Sequence, residues 1–225
     1  MKTIALLFSM FFFINLNAQN KKLLLSSWHE DGKDDNKILS EKYSYLKKGK
    51  LYYFISNDNA NIYLEMKTGD PEAQKRILKE GLTVWVSMDS KLTKKMGVHF
   101  PLGAQNSGAH KKSDKPEEKL NLEGNIITLL PLANKIELIG FTNEELRGFP
   151  SENRDNFRGS VSFNNEGNLN YRLIMPIAKL PVRNSKDGKG AMPFILGIEY
   201  GPMTGQQAFP PVLLWIKNIK LATDK

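Results

Sequence analysis

The sequence predicts an all-β protein, specifically an antiparallel β-sandwich with one short helix. Many short segments are rich in aromatic and β-branched side chains, and turn-forming residues separate them. Only the segment Pro71–Glu80 combines helical spacing with helix end signals. The chain has no cysteine, so we expect one large hydrophobic core to supply its stability without disulfides.

The first eighteen residues have the pattern of a secretory signal peptide. Lys2 provides a positive start, an almost unbroken apolar run extends from Ile4 to Ile14, and the small residue Ala18 precedes Gln19. The run is shorter than the ~20 apolar residues that a membrane-spanning helix needs. We therefore expect cleavage after Ala18, export to the periplasm or the cell exterior, and no integral membrane segment in the mature chain.

The remainder of the chain is long enough for one large β domain. We expect residues 19–49 to form a lead-in segment and first strand region, and residues 50–225 to form a single β-sandwich. Residues 103–121 are polar and contain almost no apolar side chains. This composition predicts a mobile surface loop.

The strongest strand signal is a hairpin. Residues 50–56 are rich in aromatic side chains, and residues 57–60 are turn formers. Residues 61–67 then alternate between two faces. One face carries the apolar residues Ile62, Leu64 and Met66, and the other carries Tyr63, Glu65 and Lys67. This alternation predicts a hairpin with one buried face.

The helix and the strand after it have local signals of their own. Asp70 is placed to cap the helix, Pro71 suits its first position, and Gly81 suits its end. Residues 82–88 alternate in the manner of a strand, with Trp85 on the more polar face. Further strands are predicted at 97–101, 125–130, 135–141, 160–164, 169–176, 194–200 and 212–221.

The formal net charge of +8 comes from lysines that are spread along the chain. Dispersed charge of this kind is typical of a solvated surface. The alternative is attraction to anionic glycans or to a membrane surface. Export argues against nucleic acid as a partner.

No residue pattern indicates catalysis, a cofactor or a metal ion. The serine-hydrolase pattern Gly-x-Ser-x-Gly and the zinc pattern His-Glu-x-x-His do not occur. Acidic residues near His29 lack the spacing of a known calcium loop. A glycosidase needs only two carboxylates across a cleft, so the sequence leaves a hydrolase open as an unfavoured alternative.

Three arginines lie close together in a stretch that is rich in glycine, proline and asparagine: Arg147, Arg154 and Arg158. Guanidinium groups suit carboxylate or sulfate ligands, so this stretch is a candidate site for an anionic ligand. Neighbouring acidic side chains offer the simpler alternative of surface ion pairs.

Aromatic residues are the main candidates for ligand binding, because sugar rings stack on aromatic faces while short polar groups hold their hydroxyls. We predict Trp85 and Trp28 as stacking residues, with Asn57 and Asp58 as hydroxyl partners. The alternatives are that Trp85 packs beneath the helix and that Asn57 and Asp58 only shape a turn. Trp28 is outside any clear strand, and Trp215 is expected in the core because its neighbours are apolar.

The hairpin residues 51–66 resemble the early hairpin of family-nine carbohydrate-binding modules and related DOMON-like domains. The similarity continues loosely over residues 74–86. The same block is similar to exported proteins of Bacteroidetes-type bacteria. The resemblance implies a β-sandwich binding domain without catalytic activity.

These observations favour an exported, non-catalytic binding module whose ligand is a glycan or an envelope component, with a carbohydrate as the preferred ligand. The first alternative is an envelope-associated structural or protein-interaction protein. A glycoside hydrolase is the second alternative. An exposed aromatic platform would favour the binding module, whereas an apolar patch without polar groups would favour protein interaction.

Overall fold

The computed structural model describes residues 24–28, 43–88, 93–104, 126–141, 146–150, 152–154, 156–181, 192–201 and 210–223. The predicted signal segment and most of the predicted loop at 103–121 lie outside these ranges. Within them, fourteen strands form two sheets. We number the strands in chain order.

Sheet 1 has seven strands and contains both ends of the described chain. Its order from edge to edge is β1 (Leu24–Leu25), β14 (Val212–Lys220), β13 (Phe194–Tyr200), β6 (Leu82–Ser87), β7 (Gly97–His99), β8 (Lys135–Ile139) and β9 (Leu146–Pro150).

Sheet 2 also has seven strands. Its order is β10 (Glu152–Arg154), β11 (Phe157–Phe163), β12 (Leu169–Pro176), β5 (Asn61–Thr68) and β4 (Leu51–Asn57), and the remaining edge of β4 is shared by β3 (Ser44–Leu46) and β2 (Ser27–Trp28).

The two sheets confirm the predicted β-sandwich. Neighbouring strands are antiparallel except at the pairs β1–β14 and β2–β4, which are parallel. Both parallel pairs come from residues 24–28, which pair first with sheet 1 and then with sheet 2 across Ser26. Part of the predicted lead-in segment therefore belongs to the sandwich.

The chain also crosses between the sheets at the opposite edge. There β9 pairs with β8 in sheet 1, and β10 follows directly and pairs with β11 in sheet 2. Each pair of sheet edges is thus joined by a continuous piece of chain. Edges joined in this way expose fewer unpaired backbone groups than two free edges do.

The predicted helix forms at Pro71–Glu80 and is named α1. The amide of Ala73 donates to Oδ1 of Asp70 at 3.0 Å, which is the expected N-terminal cap. Gly81 ends the helix with a positive φ of 96°. Ile77 and Leu78 are buried in the same apolar cluster as core side chains of both sheets. No helix in the described ranges is long and apolar enough to cross a bilayer.

One predicted strand is wrong. Residues 125–130 were expected to be extended, but Ile126–Leu132 forms a 3-10 helix. Pro131 lacks the amide that a strand would need for ladder pairing. Leu129 is buried in the core, and its carbonyl accepts a hydrogen bond from the amide of Ala133 at 3.0 Å.

Candidate functional site

Asn57, a predicted sugar partner, is 2% exposed and joins three parts of the fold. Its Nδ2 donates to the carbonyls of Asp58 (3.0 Å) and Ala222 (3.1 Å). Its Oδ1 accepts from the Ala222 amide at 2.8 Å and from the Ser26 hydroxyl. The amide group therefore ties the 24–28 segment and the C-terminal residues to the end of β4.

Asp58, the second predicted partner, organises the turn between β4 and β5. Its Oδ1 accepts from the amides of Ala60 (2.7 Å) and Asn61 (2.6 Å), and its Oδ2 accepts from the Tyr63 hydroxyl at 2.6 Å. Burial alone would raise the pKa of Asp58. The hydrogen bonds from Tyr63 and the backbone outweigh burial and hold this pKa below its ordinary value.

Trp28 lies in a strand, contrary to the expectation that it is outside one. It belongs to β2, it is half-buried, and it is opposite Asn57 in the parallel ladder between β2 and β4. Trp28, Asn57 and Asp58 are therefore neighbours at one end of sheet 2.

Trp85 lies in the other sheet and is 6% exposed. It projects from the outer face of β6, because its neighbours Val84 and Val86 belong to the core cluster with the helix residue Ile77, and Trp85 does not. The Trp85 side chain is therefore buried, as expected if it has a packing role. It does not pack beneath the helix, because the helix residues belong to the core cluster on the other face of β6.

A row of alternating glycine and tryptophan surrounds Trp85 across four strands of sheet 1. The register places Gly97, Trp85, Gly197 and Trp215 side by side. A Cβ on Gly97 would collide with the Trp85 ring, and a Cβ on Gly197 would collide with the Trp215 ring. Trp215 is thus half-buried on the outer face, and its predicted place in the core is wrong.

A buried carboxylate fixes the orientation of the Trp85 ring. Nε1 of Trp85 donates to Oε2 of Glu199 at 2.7 Å, and Nζ of Lys94 donates to Oε1 of Glu199 at 2.7 Å. Glu199 is 6% exposed, so its charge is compensated by these partners rather than by bulk water. This arrangement supports a structural role for Trp85.

The structure brings three of the four predicted binding residues together and leaves the fourth in the other sheet. Asn57 and Trp85 are buried, and the carboxylate of Asp58, which is partly exposed, is engaged in the hydrogen bonds described above. The binding role of the four residues stays a prediction.

An open aromatic surface lies on the outer face of sheet 2. We call it the tyrosine face and define it by the outward strand side chains, together with Tyr43, which contacts two of them from just before β3: Tyr45, Tyr52, Phe54, Tyr63, Glu65, Lys67, Asn170 and Arg172. Tyr45 is 51% exposed and Tyr52 is 43% exposed. These two residues are directly opposite in the β3–β4 ladder, with ring centroids 4.7 Å apart and planes inclined by 37°.

Polar groups continue the tyrosine face along the same rows. Lys67 is opposite Tyr52, and Asn170 is opposite Lys67. Nζ of Lys67 lies 4.5 Å from the ring centroid of Tyr43 and 5.8 Å from that of Tyr52, which are cation–π distances. The face therefore combines exposed rings with hydrogen-bonding side chains in one plane.

The neighbouring residues on β5 and β12 include a carboxylate, Glu65, that contacts two other side chains of the tyrosine face. Glu65 accepts a hydrogen bond from the Tyr43 hydroxyl at 3.0 Å and lies 3.7 Å from Nε of Arg172. Burial, followed by the negative charge of Glu65, raises the pKa of Tyr43 above its ordinary value. The Tyr43 hydroxyl, which is protonated at neutral pH even at the ordinary pKa of tyrosine, thus remains the donor in this hydrogen bond.

The tyrosine face reaches the predicted residue Asp58 through Tyr63. The guanidinium of Arg172 lies 5.5 Å from the Tyr63 ring centroid, and the Tyr63 hydroxyl is the one bound by Asp58. Asp58 is therefore a supporting residue at one end of this surface. The alternation of Tyr63, Glu65 and Lys67 was visible in the sequence, but the tyrosines that β3 places beside them were not.

A groove of about 220 Å³ adjoins the tyrosine face. Strand β3 pairs with the first half of the β4 edge and β2 pairs with its end, and the groove lies over the unpaired part of β4 between them. Its lining combines apolar side chains with two serines: Leu24, Leu25, Ser27, Ser44, Tyr53, Phe54 and Ile55. Among the residues that the structure describes, no three His, Cys, Asp or Glu side chains are grouped as a metal site would require.

No protein-family model and no curated protein matches the chain. Among solved structures, the chain aligns with a family 9 carbohydrate-binding module from Caldicellulosiruptor kristjanssonii, determined in complex with glucose. The alignment covers 91% of this chain and 97% of the module, with 11% identity and a TM-score of 0.38. Similarity at this level carries no argument about the ligand of this chain.

Proposed function

We propose that the chain is an exported, non-catalytic module that binds a carbohydrate on the tyrosine face. The observation that carries this proposal is the exposed, in-register pair Tyr45 and Tyr52, with Lys67 and Asn170 continuing the same row. Pyranose rings have apolar faces that pack on aromatic rings, and their hydroxyls need donors and acceptors at the rim. One open surface of this protein supplies both.

Burial favours the tyrosine face over the predicted tryptophan site. Trp85 would have to leave its hydrogen bond to Glu199 before it could present its ring to a ligand. Tyr52 and Tyr45 need no such rearrangement, because about half of each side chain is already exposed. A preformed surface avoids the free-energy cost of ordering or opening a site.

The contacts of two carboxylates on sheet 1 support a non-catalytic role for them. Glu137 and Glu199 are on the outer face of sheet 1, on strands that are three strand spacings apart. Each of these residues is also committed to partners, Glu137 to His99 and Glu199 to Trp85 and Lys94.

Protein interaction is the competing function. Such an interface usually has an apolar centre in which charged residues are scarce. On the tyrosine face, Glu65, Lys67 and Arg172 are interleaved with the rings. This mixture of charge and aromatic surface favours a hydroxyl-rich ligand.

The experiment is a screen of soluble polysaccharides by affinity electrophoresis, followed by titration calorimetry with the strongest ligand. Tyr52→Ala should weaken binding about tenfold or more, equivalent to ~1.4 kcal/mol or more. The lost packing on Tyr45 should lower the melting temperature by only about 1–6 °C, so the variant stays folded. Met192→Ala is the matched control, because Met192 is 44% exposed and lies outside the tyrosine face. Equal affinity in wild type and Tyr52→Ala would rule out the tyrosine face as the binding surface.

A further inference from the structure

The charge on the tyrosine face is unbalanced. The outward positions of β4, β5, β11 and β12 carry three cations, Lys67, Arg158 and Arg172, and one carboxylate, Glu65. Three cations and one carboxylate thus project from the face of sheet 2 that also carries the exposed tyrosines.

Lys67 has no ionic partner within the described residues, and Arg172 is paired with Glu65 only through Nε, at 3.7 Å. Lys67 has two tyrosine rings as its contacts, and no described carboxylate lies within ion-pair distance of its Nζ. Nε of Arg172 is buried without a hydrogen bond, because its 3.7 Å separation from Glu65 is too long for one. No described group accepts a hydrogen bond from the terminal nitrogens of Arg172, so its guanidinium fork remains available to a ligand.

The same contacts hold both cations in place. Arg172 lies against the Tyr63 ring and beside Glu65, and Lys67 lies against Tyr43 and Tyr52. Lys67 and Arg172 are diagonal neighbours on adjacent strands, since the register pairs Lys67 with Asn170 and Glu65 with Arg172. Diagonal neighbours on one face lie ~7–8 Å apart at the backbone, within the reach of long side chains toward a common ligand.

We propose that the ligand of the tyrosine face is an acidic polysaccharide, in which Tyr45 and Tyr52 pack on the sugar rings while Lys67 and Arg172 bind carboxylate or sulfate substituents. This proposal rests on the function proposed above and adds the chemical class of the ligand. Guanidinium forks match the planar geometry of carboxylates, and charge-assisted hydrogen bonds are stronger than those to neutral hydroxyls. A neutral glycan would leave Lys67 without an ionic partner and the terminal nitrogens of Arg172 without an anionic acceptor.

The test compares polymers that differ only in their acidic groups. Polygalacturonate is paired with its carboxyl-reduced form, and dextran sulfate is paired with dextran, so the two sources of negative charge are separated. Dissociation constants are measured with the full chain at two salt concentrations, because screening weakens contacts between exposed charges. We expect binding to at least one acidic polymer, about tenfold tighter than to its neutral partner.

Four variants, one of them a control, locate the charge effect. Lys67→Gln and Arg172→Gln should each weaken binding to the acidic polymer about tenfold and change binding to the neutral polymer less than about twofold. Lys217→Gln is the charge-matched control, because Lys217 is exposed on β14 in the other sheet. Arg172→Lys keeps the charge but not the fork, and it should recover only part of the loss. Thermal melts confirm that each variant is folded.

The outcomes separate the two proposals. Equal binding to acidic and neutral polymers, lost in Tyr52→Ala, would overturn the acidic class while supporting carbohydrate binding. Binding to none of the four polymers would overturn both. An equal loss of affinity for the acidic polymer in Lys217→Gln and Lys67→Gln would show that the protein attracts the polymer non-specifically, and it would overturn the assigned site. Binding to vesicles of anionic lipid, with the same variant dependence and without polysaccharide binding, would replace the glycan by a membrane surface.

Discussion

Replacement of Trp85 separates the two roles that the sequence allows for this residue. In the structure the ring is 6% exposed, covers Gly97, and donates from Nε1 to the buried Glu199. Emptying a buried aromatic site costs ~3–5 kcal/mol. For a protein of this size such a loss lowers the melting temperature by about 6–20 °C. We expect Trp85→Ala to fall in that range.

Trp85→Phe divides this cost into its two sources. The phenylalanine ring retains most of the packing but removes the donor to Glu199. A lost hydrogen bond to a charged group costs ~1.5–3 kcal/mol, here reduced because Lys94 still compensates the carboxylate. Trp85→Phe should therefore lower the free energy of unfolding less than Trp85→Ala does, but more than a surface substitution does.

Urea unfolding followed by far-UV circular dichroism measures both variants, and titration with the strongest polysaccharide measures binding. The control is Trp215→Ala, which removes a half-buried ring two strands away in the same row of sheet 1 and should lower the free energy of unfolding less. If Trp85→Ala unfolds at the wild-type midpoint and no longer binds the polysaccharide, our assignment of Trp85 to packing is refuted and the stacking prediction holds.

Three further predictions concern the other end of the fold and the N-terminus. Asn57→Ala should lower the free energy of unfolding by ~2–4 kcal/mol, because several buried hydrogen bonds to Ser26 and Ala222 are lost. The folded variant should still bind polysaccharide normally in calorimetry. Lost binding at unchanged stability would contradict this prediction. Asp58 has a depressed pKa when folded, so its contribution to stability is present above its unfolded pKa of ~3.9 and is lost as pH falls through the lower, folded value. Urea melts between pH 5 and pH 2 should thus show a smaller loss of stability for Asp58→Asn than for wild type, and parallel curves would count against the assignment. N-terminal sequencing of exported protein should begin at Gln19, and retention of Met1 would refute the predicted processing.

Local signals predicted the parts of the fold whose stabilising contacts are local. The hairpin of β4 and β5 and the capped helix α1 lie within a residue of the predicted ranges, because alternation, turn residues and the Asp70 cap all act over a few positions. The 3-10 helix at Ile126–Leu132 was missed because a short apolar run is compatible with several conformations.

The short edge strands have no comparable local signal. Strands β1 and β2 contain two residues each, and their conformation is set by partners in β14 and β4. The same limit applies to the candidate sites. Glu199, which orients Trp85, is 114 positions away in sequence, and no spacing rule connects them. Tyr63, Glu65 and Lys67 were correctly assigned to one face, but their neighbours on β3 and β12 depend on sheet pairing.

The segment that crosses between the sheets at Ser26 also has a consequence for the order of folding. The Ser26 hydroxyl lies 3.3 Å from the Lys220 carbonyl, 194 positions further along the chain. Contacts of such sequence separation carry a large entropy of loop closure and form after local hairpins. We expect the chain to assemble β4–β5 and β11–β12 early and to join its two ends last. In the native protein, amide hydrogens at residues 24–28 should then exchange with solvent sooner than those of β5 or β13, since the last contact made is the first that opens.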